Sequence, residues 1–147
     1  MTLQLRVAEG LIAGLVAAAA TTGALLVFGR SLGDPLQAFQ HIGVSLVGSG
    51  APALAAAAGL VVHLAAMLVW GLVAGLLAPR SKGLLPVLIT AVLVTLAAVL
   101  VHGYVALPEL QLGAGLGGPR APSGPVVALH LLFAGSLVLG LMVTRRR

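Results

Sequence analysis

Apolar residues in this chain are grouped into four long runs, separated by one short and two longer segments rich in polar residues, Gly or Pro. The runs cover residues 7–28, 53–77, 84–107 and 125–144. Each is about 20 residues or longer, the length that a helix needs to cross the hydrocarbon core of a bilayer. None shows the alternation of a barrel strand, and lipid-exposed backbone has to satisfy its own hydrogen bonds. The pattern predicts an all-α, polytopic membrane protein, with one domain built as an antiparallel four-transmembrane-helix bundle.

The composition leads to the same class. Of the 147 residues, 60% are hydrophobic and 7% are charged, whereas a soluble domain has roughly 25% charged residues. We therefore expect the lipid bilayer to be the main solvent, because so short a chain cannot bury this much apolar surface in water. The net charge is +5, but basic residues are scattered and aromatic residues are only 3%, which argues against nucleic-acid binding. Cysteine is absent, which excludes disulfides and thiolate sites.

The basic residues flank the apolar runs unevenly, and this predicts an orientation. Six lie on the side of the termini and two on the opposite side: Arg6, Arg80, Lys82, Arg145, Arg146 and Arg147 against Arg30 and Arg120. Because cytoplasmic loops carry the excess of Lys and Arg, we expect the inner membrane as the location, with both termini in the cytoplasm. The first run also has features of a secretory signal, but its length favours a retained helix.

Three local patterns add smaller expectations. Asp34 followed by Pro35 is typical of a helix start, which predicts a short interfacial helix over residues 36–43. Glu9 follows Arg6 by three residues, a spacing that favours an ion pair on one helix. Residues 113–118 match G-x-G-x-x-G, but no strand precedes them, so we interpret them as an outer loop. No hydrolytic motif or carboxylate pair is present, which argues against an enzyme.

The two halves of the chain share a plan. Each goes out, makes a long loop rich in Gly and Pro, and returns through a helix with one histidine, His63 or His130, between apolar neighbours. The plan predicts two tandem hairpin repeats, and the alternative is chance similarity between apolar runs.

Several landmarks also resemble those of a known family. They are Gly10 to Gly14 in the first run, His63 followed by Trp70-Gly71, Lys82-Gly83, and Leu129-His130-Leu131 with Gly135. The pattern resembles a family of small bacterial four-helix integral membrane proteins whose activity is not established. The resemblance covers most of the chain and implies the four-helix layout, but it implies no activity.

The histidines are the strongest candidates for chemistry, since ionisable side chains are costly inside a bilayer. His63 lies 14 residues before Leu77 and His130 lies 14 residues before Thr144, which places both about 21 Å above the cytoplasmic face. Equal depth on two helices suits axial ligation of haem b. The weaker expectations are Met67 and Trp70 as pocket walls and His102 and His41 as metal ligands. In the alternative interpretation, each histidine bonds a carbonyl, a hydroxyl or a neighbour and holds the bundle together.

Small residues at helical spacing predict close helix contacts. Gly10 and Gly14 form one such pair, and Gly71 and Gly75 form another, for use within the bundle or between protomers. Three functions follow as hypotheses. The leading one is a non-enzymatic structural, accessory or assembly subunit of a membrane complex. The others are an electron-transfer subunit that binds haem b or a metal, and a transporter of a small solute or ion, which would need a homo-oligomer because four spans cannot easily enclose a path.

Overall fold

The structure is a computed structural model that describes residues 2–79, 83–101 and 124–145, and all regular structure in these ranges is helical. The helices are α1 (Leu3–Ser31), α2 (Gln37–Val47), α3 (Pro52–Leu77), α4 (Leu84–Val101) and α5 (Gly124–Arg145). Four of them, α1, α3, α4 and α5, are long and apolar enough to cross a membrane. The predicted all-α, four-helix membrane bundle is confirmed.

The helix bounds follow the apolar runs closely, with one clear difference at α1. Helices α3 and α5 begin and end within one residue of their predicted bounds. Helix α1 starts four residues earlier than the predicted residue 7 and ends three residues later than residue 28. Polar residues can extend a helix beyond an apolar run. At the end of α1, the hydroxyl of Ser31 donates a hydrogen bond to the carbonyl of Phe28 in the last turn. The predicted residues 102–107 of the third span lie outside the described residues.

The four spans pack as an antiparallel bundle. Helix α1 packs most extensively against α3 and also against α5, whereas α4 packs against α5 and, over a smaller area, against α3. The core is filled mainly by small side chains, including Ala13, Ala17, Ala74 and Ala91, with Leu137 as one of its few large members. We call the end where α1 begins and α5 ends the terminal end, and the opposite end the far end.

Backbone contact between glycines holds α1 against α3. A Cβ atom on Gly10 would lie 2.8 Å from the carbonyl oxygen of Gly71, and one on Gly14 would lie 2.8 Å from that of Met67. A Cβ on Gly75 would lie 2.5 Å from the Cα of Gly10. Real Cβ atoms essentially never come within 3.0 Å of non-bonded heavy atoms in other parts of the chain. The two glycine pairs therefore lie against each other inside one chain.

Helix α2 packs along the far half of α3. A Cβ on Gly43 would collide with the carbonyl of Ala55, and a Cβ on Gly59 would collide with the carbonyl of Phe39. Since residue 39 meets residue 59 while residue 43 meets residue 55, the two helices run antiparallel along each other. Helix α2 is thus a fifth element of the bundle rather than a separate helix on its surface.

The ends of α2 differ from the predicted ones. The helix starts at Gln37 and continues to Val47, one turn beyond the predicted residue 43. Leu36 occupies the capping position, so Asp34 lies two residues too early to be the N-cap. The carboxylate of Asp34 instead holds the turn before the helix: its Oδ1 accepts from the backbone N–H of Leu36 at 2.8 Å, and its Oδ2 accepts from the side-chain amide of Gln40 at 3.0 Å. Gly48 then ends the helix with a φ of 78°, a conformation that favours glycine.

We expect Gly71→Ala to destabilise the bundle by about 1–3 kcal/mol, because the added methyl group would force the backbones of α1 and α3 apart. Gly23→Ala is the matched control, since a Cβ at Gly23 meets nothing within 4 Å, and helix propensity favours alanine by about 1 kcal/mol. Unfolding by SDS titration in mixed micelles, followed by circular dichroism, measures both. Equal stability of the two variants would contradict the contact.

Labelling of single cysteines tests the topology, and the cysteine-free chain provides a clean background. The two labelling variants are Thr2→Cys and Ser49→Cys. Thr2 lies just before α1, and Ser49 lies in the exposed turn between α2 and α3. In intact cells, we expect an impermeant maleimide to label position 49 and to reach position 2 only after the membrane is permeabilised. Labelling of both positions from the same side would refute the bundle topology, and a reversed pattern would refute the predicted orientation.

Candidate functional site

A buried histidine lies where α1, α2 and α3 meet. His63 is 8% exposed, and its Nε2 lies 3.0 Å from the hydroxyl oxygen of Thr21 on α1. It shares a helical stripe with Gly59, one turn before it, and with Gly71, two turns after it. Gly59 contacts α2 and Gly71 contacts α1. His63 therefore lies on the face of α3 that packs against these two helices.

The direction of the hydrogen bond follows from the second contact of Thr21. Its hydroxyl oxygen lies 2.8 Å from the backbone carbonyl oxygen of Ala17, and a carbonyl only accepts. The single hydroxyl proton is therefore donated to Ala17, and the oxygen accepts from Nε2–H of His63. This arrangement places a ring proton of His63 on Nε2.

An aromatic ring from α2 covers the other side of this histidine. The ring centroids of Phe39 and His63 are 5.7 Å apart with an interplanar angle of 69°, an edge-to-face geometry that is favourable for aromatic pairs. Phe39 is 1% exposed. Together, Thr21, His63 and Phe39 form one buried cluster, with one member from each of three helices.

The second predicted ligand, His130, has a different environment. It is half-buried, and its Nδ1 lies 2.7 Å from the carbonyl oxygen of Val126, one turn earlier on α5. Because the carbonyl only accepts, Nδ1 carries the proton and donates it. Both histidines therefore form hydrogen bonds of the kind that the alternative interpretation expects, one to a hydroxyl and one to a carbonyl.

This geometry gives no direct support to haem between the two histidines, and ligation stays a prediction. Helices α3 and α5 meet over only a small area, and ligation through Nε2 of His63 would require the bond to Thr21 to break. Met67 is buried in the core, and Trp70 is partly buried and packs against the core. His41 is exposed on α2, and His102 lies outside the described residues. Within the described ranges, no group of three His, Asp or Glu side chains is placed to hold a metal ion.

Charged side chains join three helices at the terminal end. Nε of Arg145 lies 3.2 Å from Oε2 of Glu9, and both side chains are about one-tenth exposed. A second donor of Arg145, Nη1, lies 2.8 Å from the carbonyl oxygen of Pro79. Arg6 donates from its Nη1 to the carbonyl oxygen of Leu76 at 2.7 Å. The ion pair of Glu9 is thus made with α5, and not with Arg6 as its spacing predicted.

An apolar crevice lies between α1 and α5 towards the far end. Its volume is about 220 Å³, and its walls include Leu25, Phe28, Pro125 and Leu129. The predicted pocket walls, Met67 and Trp70, are not among its lining residues. Polar groups contribute almost nothing to its surface, so the crevice fits a hydrocarbon group better than a reacting one.

Four apolar helices of membrane-spanning length, packed as one bundle, define a multi-pass integral membrane protein. Comparisons with protein-family models, with curated proteins and with solved structures found no match. The family named above therefore remains a resemblance in a few landmarks.

A double-mutant cycle tests the bond between Thr21 and His63. Thr21→Val removes the hydroxyl at nearly constant shape, and His63→Ala removes the donor. Hydrogen bonds between transmembrane helices contribute about 0.6 kcal/mol on average and at most about 1.7 kcal/mol, so we expect a coupling energy of that size in SDS unfolding. Additive effects, within about 0.3–0.5 kcal/mol, would show that the two side chains are independent.

A visible spectrum of the same wild-type sample, expressed with haem supply, tests ligation separately. A Soret band that disappears in His63→Ala and in His130→Ala would show that both side chains bind haem, and it would overturn the hydrogen-bonding role. If the side chains serve packing, we expect no band in the wild type and no bound metal in elemental analysis.

Proposed function

We propose that this protein is a non-enzymatic subunit of a larger membrane complex, with an accessory or assembly role. The observation that carries the proposal is a contrast among its helical glycines. A Cβ atom added at Gly10, Gly14, Gly71, Gly75 or Gly140 would lie within 3 Å of the backbone of another helix. Gly23 and Gly135 also lie within transmembrane helices, but a Cβ on either would meet nothing within 4 Å.

A glycine inside a helix destabilises it by about 1 kcal/mol relative to alanine. At the first five positions, the close approach of another helix explains why glycine is present. Gly23 and Gly135 are exposed on the lipid-facing surface, where any small side chain would fit. A helix from another subunit that packs there would supply the missing reason, because transmembrane helices associate through small residues that let their backbones approach.

The surroundings of the two glycines support helix docking. Ala19 lies one turn before Gly23 and is also exposed, so α1 presents a small-xxx-small pattern outward as well as inward. On α5, Gly135 lies between exposed Leu131 and Leu139, and it leaves a notch in a row of larger side chains. The two surfaces lie on different helices, which suits a subunit that contacts more than one neighbouring helix.

The interior supports a packing role for the bundle itself. Its core is built mainly from alanine side chains and backbone contacts. The buried imidazole of His63 is hydrogen-bonded to the hydroxyl of Thr21 on α1. A rigid bundle with small-residue surfaces suits assembly, since helix association in lipid relies on close packing and not on a hydrophobic driving force.

The proposal includes a location, the inner membrane with the terminal end in the cytoplasm. Arg6 and Arg145 lie at the terminal end, whereas Arg30 lies at the far end of α1. This distribution supports the orientation that the whole sequence predicts from its basic residues.

The test compares assemblies of wild type, Gly23→Val and Gly135→Val, extracted from native membranes in a mild detergent. We expect the wild type on a native gel in a complex well above the 14.6 kDa chain, and the two variants shifted towards the free chain. Val27→Leu is the matched control, because Val27 is 72% exposed on the same helix as Gly23 and gains volume without filling a notch.

Mass spectrometry of the excised wild-type complex identifies its members. Other membrane proteins in fixed stoichiometry would support the accessory role. Only further copies of this chain would favour the homo-oligomer that a transporter requires. A free chain in the wild type, or variants that assemble like it, would refute the proposal.

A further inference from the structure

One positive charge at the terminal end has no described counter-charge. The described charged side chains at this end are Arg6, Glu9 and Arg145, and Glu9 pairs with Arg145. Arg6 is bonded to the neutral carbonyl of Leu76, and it forms no ion pair within the described residues. The three side chains together therefore carry one uncompensated positive charge, and it belongs to Arg6.

The guanidinium of Arg6 is held in place by α3. Its Nη1 donates to the carbonyl of Leu76, the next-to-last residue of that helix, across two segments 70 residues apart in the chain. Basic side chains commonly satisfy the last carbonyls of a helix in this way. A guanidinium has five N–H donors in a rigid plane, so this anchor leaves donors for a second partner. Because the group is already fixed, binding an anion would cost less ordering entropy.

Arg6 lies near the terminal end of the bundle, beside exposed leucines. It is half-buried at the end of the first turn of α1, near Leu3 and Leu5, which are 68% and 54% exposed. An arginine beside lipid-facing leucines at a helix end directs its charged group towards the headgroup region. In the sequence, Arg80 and Lys82 follow α3 and Arg146 and Arg147 follow α5, so the adjoining segments also favour an anion.

We propose that the terminal end binds the headgroup phosphate of an anionic phospholipid, and that Arg6 is the residue that contacts it. The free N–H groups of Arg6 donate to the phosphate oxygens, since the planar fork of arginine matches phosphate geometry. The ion pair of Glu9 and Arg145 keeps Glu9 from neutralising Arg6. This inference is independent of the proposed accessory role, because it concerns lipid and not a protein partner.

The test measures lipid retention by native mass spectrometry, after reconstitution into nanodiscs of phosphatidylcholine and phosphatidylglycerol at 4:1. We expect the wild type to retain phosphatidylglycerol in excess of its share. A basic residue near an anionic surface strengthens binding by about fivefold, so Arg6→Gln should lower the retained phosphatidylglycerol by about that factor. Arg30→Gln is the matched control, because Arg30 is exposed on the same helix at the far end, and its retention should equal that of the wild type.

Three further outcomes decide the proposal. Equal retention in Arg6→Gln and wild type, or an equal fall in Arg30→Gln, would overturn it. If millimolar inorganic phosphate displaces the lipid, or raises the thermal midpoint of lipid-free protein in detergent, the ligand is free phosphate and the lipid assignment is wrong. If Arg6→Gln loses its helical circular dichroism, the wild type alone decides: a lipid preference that weakens at high salt supports the site, and no preference refutes it.

Discussion

The contact between the backbones of α1 and α3 is the constraint on which the rest of the structure depends. Lipid chains are as apolar as leucine, so helices in a bilayer are not driven together by the hydrophobic effect, and they associate through close packing and hydrogen bonds. Gly10 and Gly14 provide that packing by meeting the backbone around Gly71. Only at this short distance does the side chain of Thr21 reach His63, so the polar contact is a consequence of the glycine contact.

The same principle places α2 against α3, and it explains why one histidine is buried so completely. Gly43 and Gly59 let those two backbones touch, which brings the ring of Phe39 over His63. Two separate glycine contacts thus enclose one imidazole between three helices. The enclosure satisfies a polar group that would be costly in lipid. It also engages Nε2, so a metal or haem iron that binds this nitrogen would compete with the bond to Thr21.

Features that depend on local sequence were predictable, and features that depend on distant partners were not. The spans follow from apolar runs, and the glycine pairs of α1 and α3 stand out by their spacing. The packing of α2 along α3 was not predicted, because nothing in the sequence of α2 shows that Gly59 offers a place for it. The partner of Glu9 was missed for a similar reason: Arg6 is three residues away, but Arg145 is 136 residues away and reaches Glu9 only after α5 has packed on α1.

The polar contacts have a further consequence for the register of α1 against α3. Both helices are rich in Ala, Leu, Val and Gly, so a slip by one turn would exchange similar side chains at little cost in packing. Two polar contacts resist that slip: Arg6 meets the carbonyl of Leu76 near the terminal end, and Thr21 meets His63 towards the far end. From the first contact to the second, the chain advances 15 residues along α1 and goes back 13 along α3. A slip by one helical turn would separate the two partners of each contact by about 5 Å. It would also leave the imidazole of His63 without Thr21, in a medium that offers no water. Buried polar groups are best attested as devices that fix helix register, and the bond between Thr21 and His63 suits that role in this bundle.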